Sequence, residues 1–338
     1  MKNKTLLLAY TFIAIILIAC SENEEPMYVG ERIALIVAAS DNPAKDGTPS
    51  LQDLMDAGVQ EVIGTQVDYE EAIATADSIP TTLTELQDII FKVNEDLLDN
   101  DGNFETLAWS DEFNDDGQPS SQRWNYDIGT GDWGWGNGEQ QYYTQRTDNV
   151  TISGGTLKIK AKKESYSGSA YTSARLKTQG KYSFTYGKVE VRAKLPKGGG
   201  TWPAIWMLGN NISSVGWPAC GEIDIMEHKG NEVGDVSSAI HNTSGYGATP
   251  YFNEQFIADV TDDFHVYGIV WTSKKIDFMV DGTVHYTYEP AVKNDENWPF
   301  NDRQFLILNV AMGGTLGGNI ASNFTEGTME IDYVRVYQ

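Results

Sequence analysis

The sequence predicts an all-β fold, a large sandwich or barrel, for the chain from Phe104 to Gln338. Three observations carry this. Apolar and polar residues alternate with period two, as Val189, Val191, Ala193 and Leu195 do against Glu190, Arg192 and Lys194. Such alternation sends one set of side chains to a core and the other to water. Asp281-Gly282 separates the runs Ile276, Phe278, Val280 and Val284, Tyr286, Tyr288, which is the composition of a tight hairpin. Glycine-rich turns set off further strand-like stretches, RQFLILNVAM and TMEIDYVRVYQ among them, and no long amphipathic helix interrupts the series.

The chain ahead of this region has another character. The whole protein has 338 residues and a net charge of −24, a balance that disfavours nucleic acid, whose phosphates call for a basic surface. Residues 21–103 hold nineteen Asp and Glu against three Lys and Arg, and all nine Trp follow residue 104. Apolar residues there recur three and four apart, as in Leu83, Leu86, Ile90, Val93 and Leu97, which is helical spacing. Residues 21–103 therefore read as an acidic helical module or spacer. Within residues 1–20, Lys2 and Lys4 precede an apolar run from Leu6 to Ala19, too short to span a bilayer and suited to a secretory signal. The LIAC that ends it resembles the lipobox of bacterial lipoproteins. That resemblance implies that Cys20 is the lipidated first residue of the mature chain, held to a membrane through the lipid alone. The SENEE that follows resembles the export tag of surface lipoproteins in the Bacteroidetes, which implies a surface-exposed position on the outer membrane. With Cys20 lipidated, Cys220 has no partner for an intrachain disulfide, and it reads as a buried, small, apolar-behaving residue.

The chemistry concentrates in GEIDIMEH, Gly221 to His228. On a regular strand Glu222 and Asp224 share a face, and Glu227 falls one residue out of phase. A single extra residue, a β-bulge at Ile225–Met226, would restore the phase. Glu222 and Glu227 would then stand about four strand steps apart, roughly 13 Å between Cα atoms. Their side chains could bring the carboxyls to the ~5–5.5 Å used by glycosidases that retain configuration. Like charges so close push one pKa upward, and a pair of carboxyls with separated pKa values supplies an ionised nucleophile and a protonated acid. Alternating acids are also what a plain solvated strand looks like, so the surroundings decide. Trp202, Trp206 and Trp217 lie within twenty residues upstream. Aromatic planes beside acids suit a sugar, whose faces are apolar and whose rim is hydroxylated.

EIDIME preceded by WPAC is similar to the bulged active-site strand of glycoside hydrolase family 16. The likeness extends through WSDEFN, NGEQQYYT, SARLKTQGKYSFTYGKVEVRAKLPKGGGTWPAIWMLG, WPFNDRQFLILNVAMGG and MEIDYVRVY, over nearly all of residues 104–338. It implies a β-jelly-roll sandwich, concanavalin A-like, with a concave substrate cleft. It also implies a retaining endo-glycosidase of laminarinase type acting on β-1,3-glucan. In that scheme Glu222 is the nucleophile, Glu227 the acid/base and Asp224 the residue between them. Trp202, Trp206, Trp217, Arg175, Asn137, Glu139 and His241 fall at sugar-contacting positions. Asn242 stands where relatives often carry Trp, which bears on the product-side contacts, and Thr315-Leu316 stand where many relatives have another Trp, which bears on the number of sugar subsites. The resemblance implies no cofactor for the chemistry. It does imply a structural calcium near Glu112 and Asp332, oxygen ligands of the kind that ion takes. A monomer acting on a polysaccharide is the expected form. A mixed-linkage β-1,3-1,4-glucanase, a transglycosylase and a non-catalytic glycan-binding lipoprotein are the competing readings.

Overall fold

The computed structural model describes residues 102–338. The signal segment, Cys20 and the helical module up to residue 101 lie outside the described residues. Phe104 is buried, and the first strand begins three residues later. Strands are numbered in chain order. One sheet has seven strands, in the order β12 (Tyr251–Phe256), β11 (Asp235–His241), β10 (Glu222–His228), β9 (Thr201–Gly209), β16 (Gln304–Met312), β7 (Arg175–Lys177) and β2 (Asn125–Asp127). The other has ten. Its main path runs β15 (Thr283–Tyr288), β14 (Ile276–Val280), β13 (His265–Trp271), β8 (Gly187–Lys194), β17 (Glu326–Tyr337), β5 (Thr156–Tyr166), β6 (Ser169–Ser173) and β3 (Gln141–Tyr143). In addition β1 (Leu107–Asp111) pairs with β17, and β4 (Val150–Ser153) pairs with β5. Only β3 and β6 run parallel; every other pairing among the described strands is antiparallel. This is the predicted all-β jelly-roll sandwich. Helix among the described residues amounts to single turns such as Ile212–Val215 and Gly314–Gly317, and none is long and apolar enough to cross a membrane.

The alternating residues form the core. Leu157, Ile159, Val189, Val191, Met329 and Ile331 of the larger sheet are fully buried, as are Ile205, Met207, Ile223, Leu306 and Leu308 of the smaller one. Each such side chain contributes about 1.5–3 kcal/mol by leaving water. The predicted hairpin turns at Asp281-Gly282, and both residues have positive φ (51° and 75°), the conformation that matches the twist of the flanking strands.

One feature departs from simple alternation. All nine residues of β16 are buried, and β9 is buried along nearly its whole length. Both faces of these central strands are therefore covered. One face meets the opposing sheet. The other carries Trp202, Ala204, Trp206 and Leu208 of β9, aligned with Ala311, Asn309, Ile307 and Phe305 of β16.

Candidate active site

The register of β10 contains the irregularity that its sequence demands. Against β9, Asp224 faces Trp206 and Glu227 faces Ala204, while the intervening Ile205 faces Met226, so Ile225 is the inserted residue. Against β11, Asp224 faces Ala239 and Glu227 faces Ser237. Three residues on β10 thus span two on each neighbour. The bulge inverts the later side chains, so Glu227 lies on the face of Glu222 and Asp224, and His228 turns to the interior. Gly221 sets the entry to this strand. Its φ is +75°, and a Cβ there would lie 2.8 Å from Pro299 and Phe300, so only glycine fits.

Each carboxylate has a separate donor. The Trp217 indole N–H donates to Glu222 Oε2 at 2.7 Å. The Trp202 indole N–H donates to Glu227 Oε1 at 3.0 Å. His241 Nε2 lies 3.3 Å from Asp224 Oδ2. The Gly247 N–H donates to His241 Nδ1, so in the neutral ring Nε2 carries the hydrogen and faces Asp224. One ligand-type atom each from Glu222, Asp224 and His241 falls within 4.8 Å of the other two. Burial pushes all three carboxyls above the ordinary range. Repulsion from Asp224 and Glu227 adds to it at Glu222, and repulsion from Asp224 adds to it at Glu227. Three carboxyls so raised and so close do not all hold full charges near neutrality.

A second layer fixes the tryptophans. The Trp206 indole N–H donates to Asn309 Oδ1 at 2.7 Å. The Asn309 amide donates to Tyr143 OH, and that hydroxyl donates to Glu139 Oε2. Gln141 also donates to Glu139 at 2.6 Å, and burial raises the Glu139 pKa. Glu139 therefore supports Trp206 from behind. Arg175 is sandwiched between the rings of Trp206 and Trp135, at 4.6 and 4.8 Å, and pairs with Asp127 at 3.0 Å. Asn137 sits on the adjacent loop, 133–138.

The structure gathers the residues singled out in the sequence: Glu222, Asp224, Glu227, Trp202, Trp206, Trp217, Arg175, Asn137, Glu139 and His241 all belong to this face or its bordering loops. Trp202 is the buried one of the three tryptophans, and Trp217 is 45% exposed. Sequence reasoning missed Trp133 and Trp135. Both hold left-handed backbone (φ 54° and 56°), which costs about 1–3 kcal/mol each for such residues. Trp133 is 91% exposed. The signal was present in DWGWGNGE, where two aromatics sit among glycines. Asn242 is fully buried and donates to Tyr288 OH and to the Asn297 carbonyl, so it ties the loop after β11 to the segment around residue 297 and contacts no open surface.

Glu112 and Asp332 do not fit the expected calcium. Arg335 binds both oxygens of Glu112, at 2.9 and 2.7 Å, and Arg192 binds Asp332 at 2.6 Å. Each carboxylate is thus already matched by an arginine cation. Among the described residues, the one group of three such ligand-type side chains is Glu222, Asp224 and His241.

Residues 137–335 match the model for glycosyl hydrolases family 16. A β-glucanase from Rhodothermus marinus is 43% identical over 245 residues, covering 69% of this chain and 85% of that protein. The laminarinase structure from Flavobacterium sp. UMI-01 superposes with a TM-score of 0.65 at 43% identity, covering 69% of this chain and all of that one. SCLam, described as a non-specific endo-β-1,3(4)-glucanase of family GH16, superposes with a TM-score of 0.65 at 41% identity, over 69% of this chain and 91% of that one.

Proposed function

This chain belongs to glycosyl hydrolase family 16, and on that footing we propose that it is a retaining endo-glycosidase that cleaves β-1,3-glucan of laminarin type. The observation that carries the proposal is the one-residue bulge that places Glu222, Asp224 and Glu227 on one face. Glu222 attacks the anomeric carbon while Glu227 donates a proton to the departing glycosidic oxygen. Water then attacks the anomeric carbon of the glycosyl-enzyme, Glu227 takes a proton from that water, and the bond to Glu222 breaks to free its carboxylate. Asp224, its pKa raised by burial, holds a proton when Glu222 acts as the nucleophile, which leaves Glu222 ionised. The Trp217 N–H and the nearby His241 favour that charge on Glu222. Trp202 fixes Glu227 through one oxygen and leaves the other to carry the proton. Arg175, Trp206 and Asn137 hold sugars on the non-reducing side, and Trp217 and His241 border the other. The family's chemistry needs no cofactor.

The mixed-linkage reading is supported by the likeness to SCLam, named for action on both linkages. A purely glycan-binding role has no use for a clustered acidic trio, Asp224 buried and Glu222 and Glu227 half-buried, whose ionisation costs stability. We also propose that Cys20 carries a lipid that holds the enzyme, as a monomer, on the outer face of the outer membrane. Membrane fractionation of the intact chain and of Cys20→Ala tests this, and a soluble wild-type chain overturns it. Product analysis on laminarin, lichenan and cellulose tests the activity, with proton NMR following the anomer first released. Laminarin cleavage with β-anomer product is expected. Cleavage of lichenan alone moves the substrate to the mixed-linkage class, and α-anomer product refutes the two-step mechanism.

A further inference from the structure

The bulge leaves a problem behind it. Where β10 carries an extra residue, β11 offers one position, Ser238, opposite both Ile225 and Met226. A carbonyl on the bulged strand thereby loses its regular ladder partner, and a buried carbonyl without a partner is destabilising. Ser238 is fully buried, and its hydroxyl donates to the Ile225 carbonyl at 2.8 Å. The same oxygen lies 3.1 Å from His285 Nε2. A serine hydroxyl has one hydrogen. With that hydrogen on the carbonyl, the contact to His285 requires the imidazole to donate, which assigns the ring hydrogen to Nε2. His285 sits on β15 of the larger sheet, so the hydroxyl also links the two sheets directly behind the carboxylates. The backbone at this histidine is held in turn, because the Asn253 side chain on β12 donates to the His285 carbonyl at 2.7 Å.

We infer that Ser238, backed by His285, is a positioning residue: its hydroxyl takes the place of the missing ladder partner and so keeps Glu227 in phase with Glu222 and Asp224. Ser238 touches no substrate and acts through the backbone of β10. The alternative to the bulge is a slip of one residue, and a slip of one residue carries a side chain to the opposite face. An apolar residue at position 238 would leave the Ile225 carbonyl unpaired in the bulged form and remove the bias against that slip. The inference rests on the proposed glycosidase chemistry only for its kinetic consequence.

The test compares Ser238→Ala with the wild-type chain on laminarin. A kcat lower by about tenfold is expected with KM within twofold. The basic limb of the kcat profile should move to lower pH, because a loosened Glu227 is better solvated and its pKa returns toward the ordinary value. The pair His285→Phe and His285→Gln, at a less buried position, covers the case in which Ser238→Ala does not fold. His285→Phe should lose about threefold in kcat, and His285→Gln, which keeps an N–H donor, should recover most of it. Amide exchange along β10 reads the same device without substrate. Exchange at Met226 and Glu227 should be at least tenfold faster in the variant that loses the contact, with β8 unchanged. A kcat within twofold of wild type per folded molecule, or equal exchange rates, overturns the inference. A wild-type chain inactive on every glucan counts against the proposed function alone, since the exchange comparison still decides this one.

Discussion

Glu330 on the ten-stranded sheet and Glu227 on the seven-stranded one are both strand glutamates among alternating apolar residues, and the protein treats them in opposite ways. Glu330 lies directly between Lys158 and Lys194 in the ladder, 3.9 and 3.0 Å from their ammonium groups. The same face pairs Lys160 with Glu326, Arg192 with Asp332 and Arg335 with Glu112. Unlike charges stand opposite one another, partly open to water, where each pair is worth little but none is costly. The seven-stranded sheet sets Glu222, Asp224 and Glu227 together and gives them indole N–H groups and a histidine in place of lysine or arginine. Neutral donors hold a carboxylate in place without fixing its charge. Strong cations would have locked all three acids in the ionised form and left none to donate a proton. The outer ladder is arranged for solubility and register, and the inner trio for proton transfer at a cost in stability.

The largest break in this comparison comes from removing an acid on each sheet. Glu222→Ala and Glu227→Ala should each lower kcat on laminarin by several powers of ten, as loss of a nucleophile or an acid/base does. Glu330→Ala should leave kcat and KM within twofold and change unfolding free energy by less than about 1 kcal/mol. Steady-state kinetics and denaturant titration on the three variants check this. A large kinetic loss in Glu330→Ala would erase the distinction between the sheets.

A smaller effect is expected from the donors. Trp217→Phe keeps the ring and removes the N–H that holds the Glu222 pKa down. We expect a kcat/KM about tenfold lower, the order of one hydrogen bond to a charged group. The acid limb of its pH profile should shift to higher pH, because Glu222 then ionises less readily. Lys194→Ala, which takes a donor from Glu330, should move neither. An unmoved acid limb in Trp217→Phe would mean that the indole only packs.

How much of this was readable in advance follows the range of the interactions. The three acids were legible because their arrangement depends on parity along one strand, and parity is local: one inserted residue between Asp224 and Glu227 was the simplest way to bring the acids together. The hairpin at Asp281-Gly282 was legible for the same reason. The ion pairs of Glu112 with Arg335 and of Asp332 with Arg192 were not legible, because the partners lie far away in the chain and are brought in by strand pairing. The chain from Trp206 through Asn309 and Tyr143 to Glu139 joins four separate segments, and no spacing rule connects them. Ser238 in VSSAIH has nothing in its neighbourhood to set it apart from Ser237. Only the register shows that one faces Glu227 and the other the bulge.

The smallest effect is one of stability, and it reverses sign between the sheets. Glu227 binds its proton more tightly in the folded chain than in the unfolded one, where the pKa is near the ordinary carboxyl value, and burial carries it up to about 8. Between those two values the folded form holds more protons, so this group makes stability fall as pH rises. Glu112 is the opposite case: its hydrogen bonds and charge interaction with Arg335 lower its pKa, so its contribution is present above the ordinary carboxyl value and is lost as pH falls through the folded one. Glu227→Gln removes the ionisable group while keeping an acceptor for the Trp202 N–H. It should therefore raise the unfolding free energy near pH 8 by about 1–2 kcal/mol, less than a fully dry carboxyl would give because Glu227 is only half-buried. The gain should disappear near pH 4, where the wild-type group is already neutral in both states. Glu112→Gln should lose less than about 1 kcal/mol near neutrality, since its pair is a third exposed and screened, and the loss should shrink as pH falls toward its lowered folded pKa. Thermal unfolding of the two variants from pH 4 to pH 8 makes the comparison. Parallel curves would show that the acids of the seven-stranded sheet carry no more strain than those of the ten-stranded one, and the argument that proton transfer there costs stability would fail.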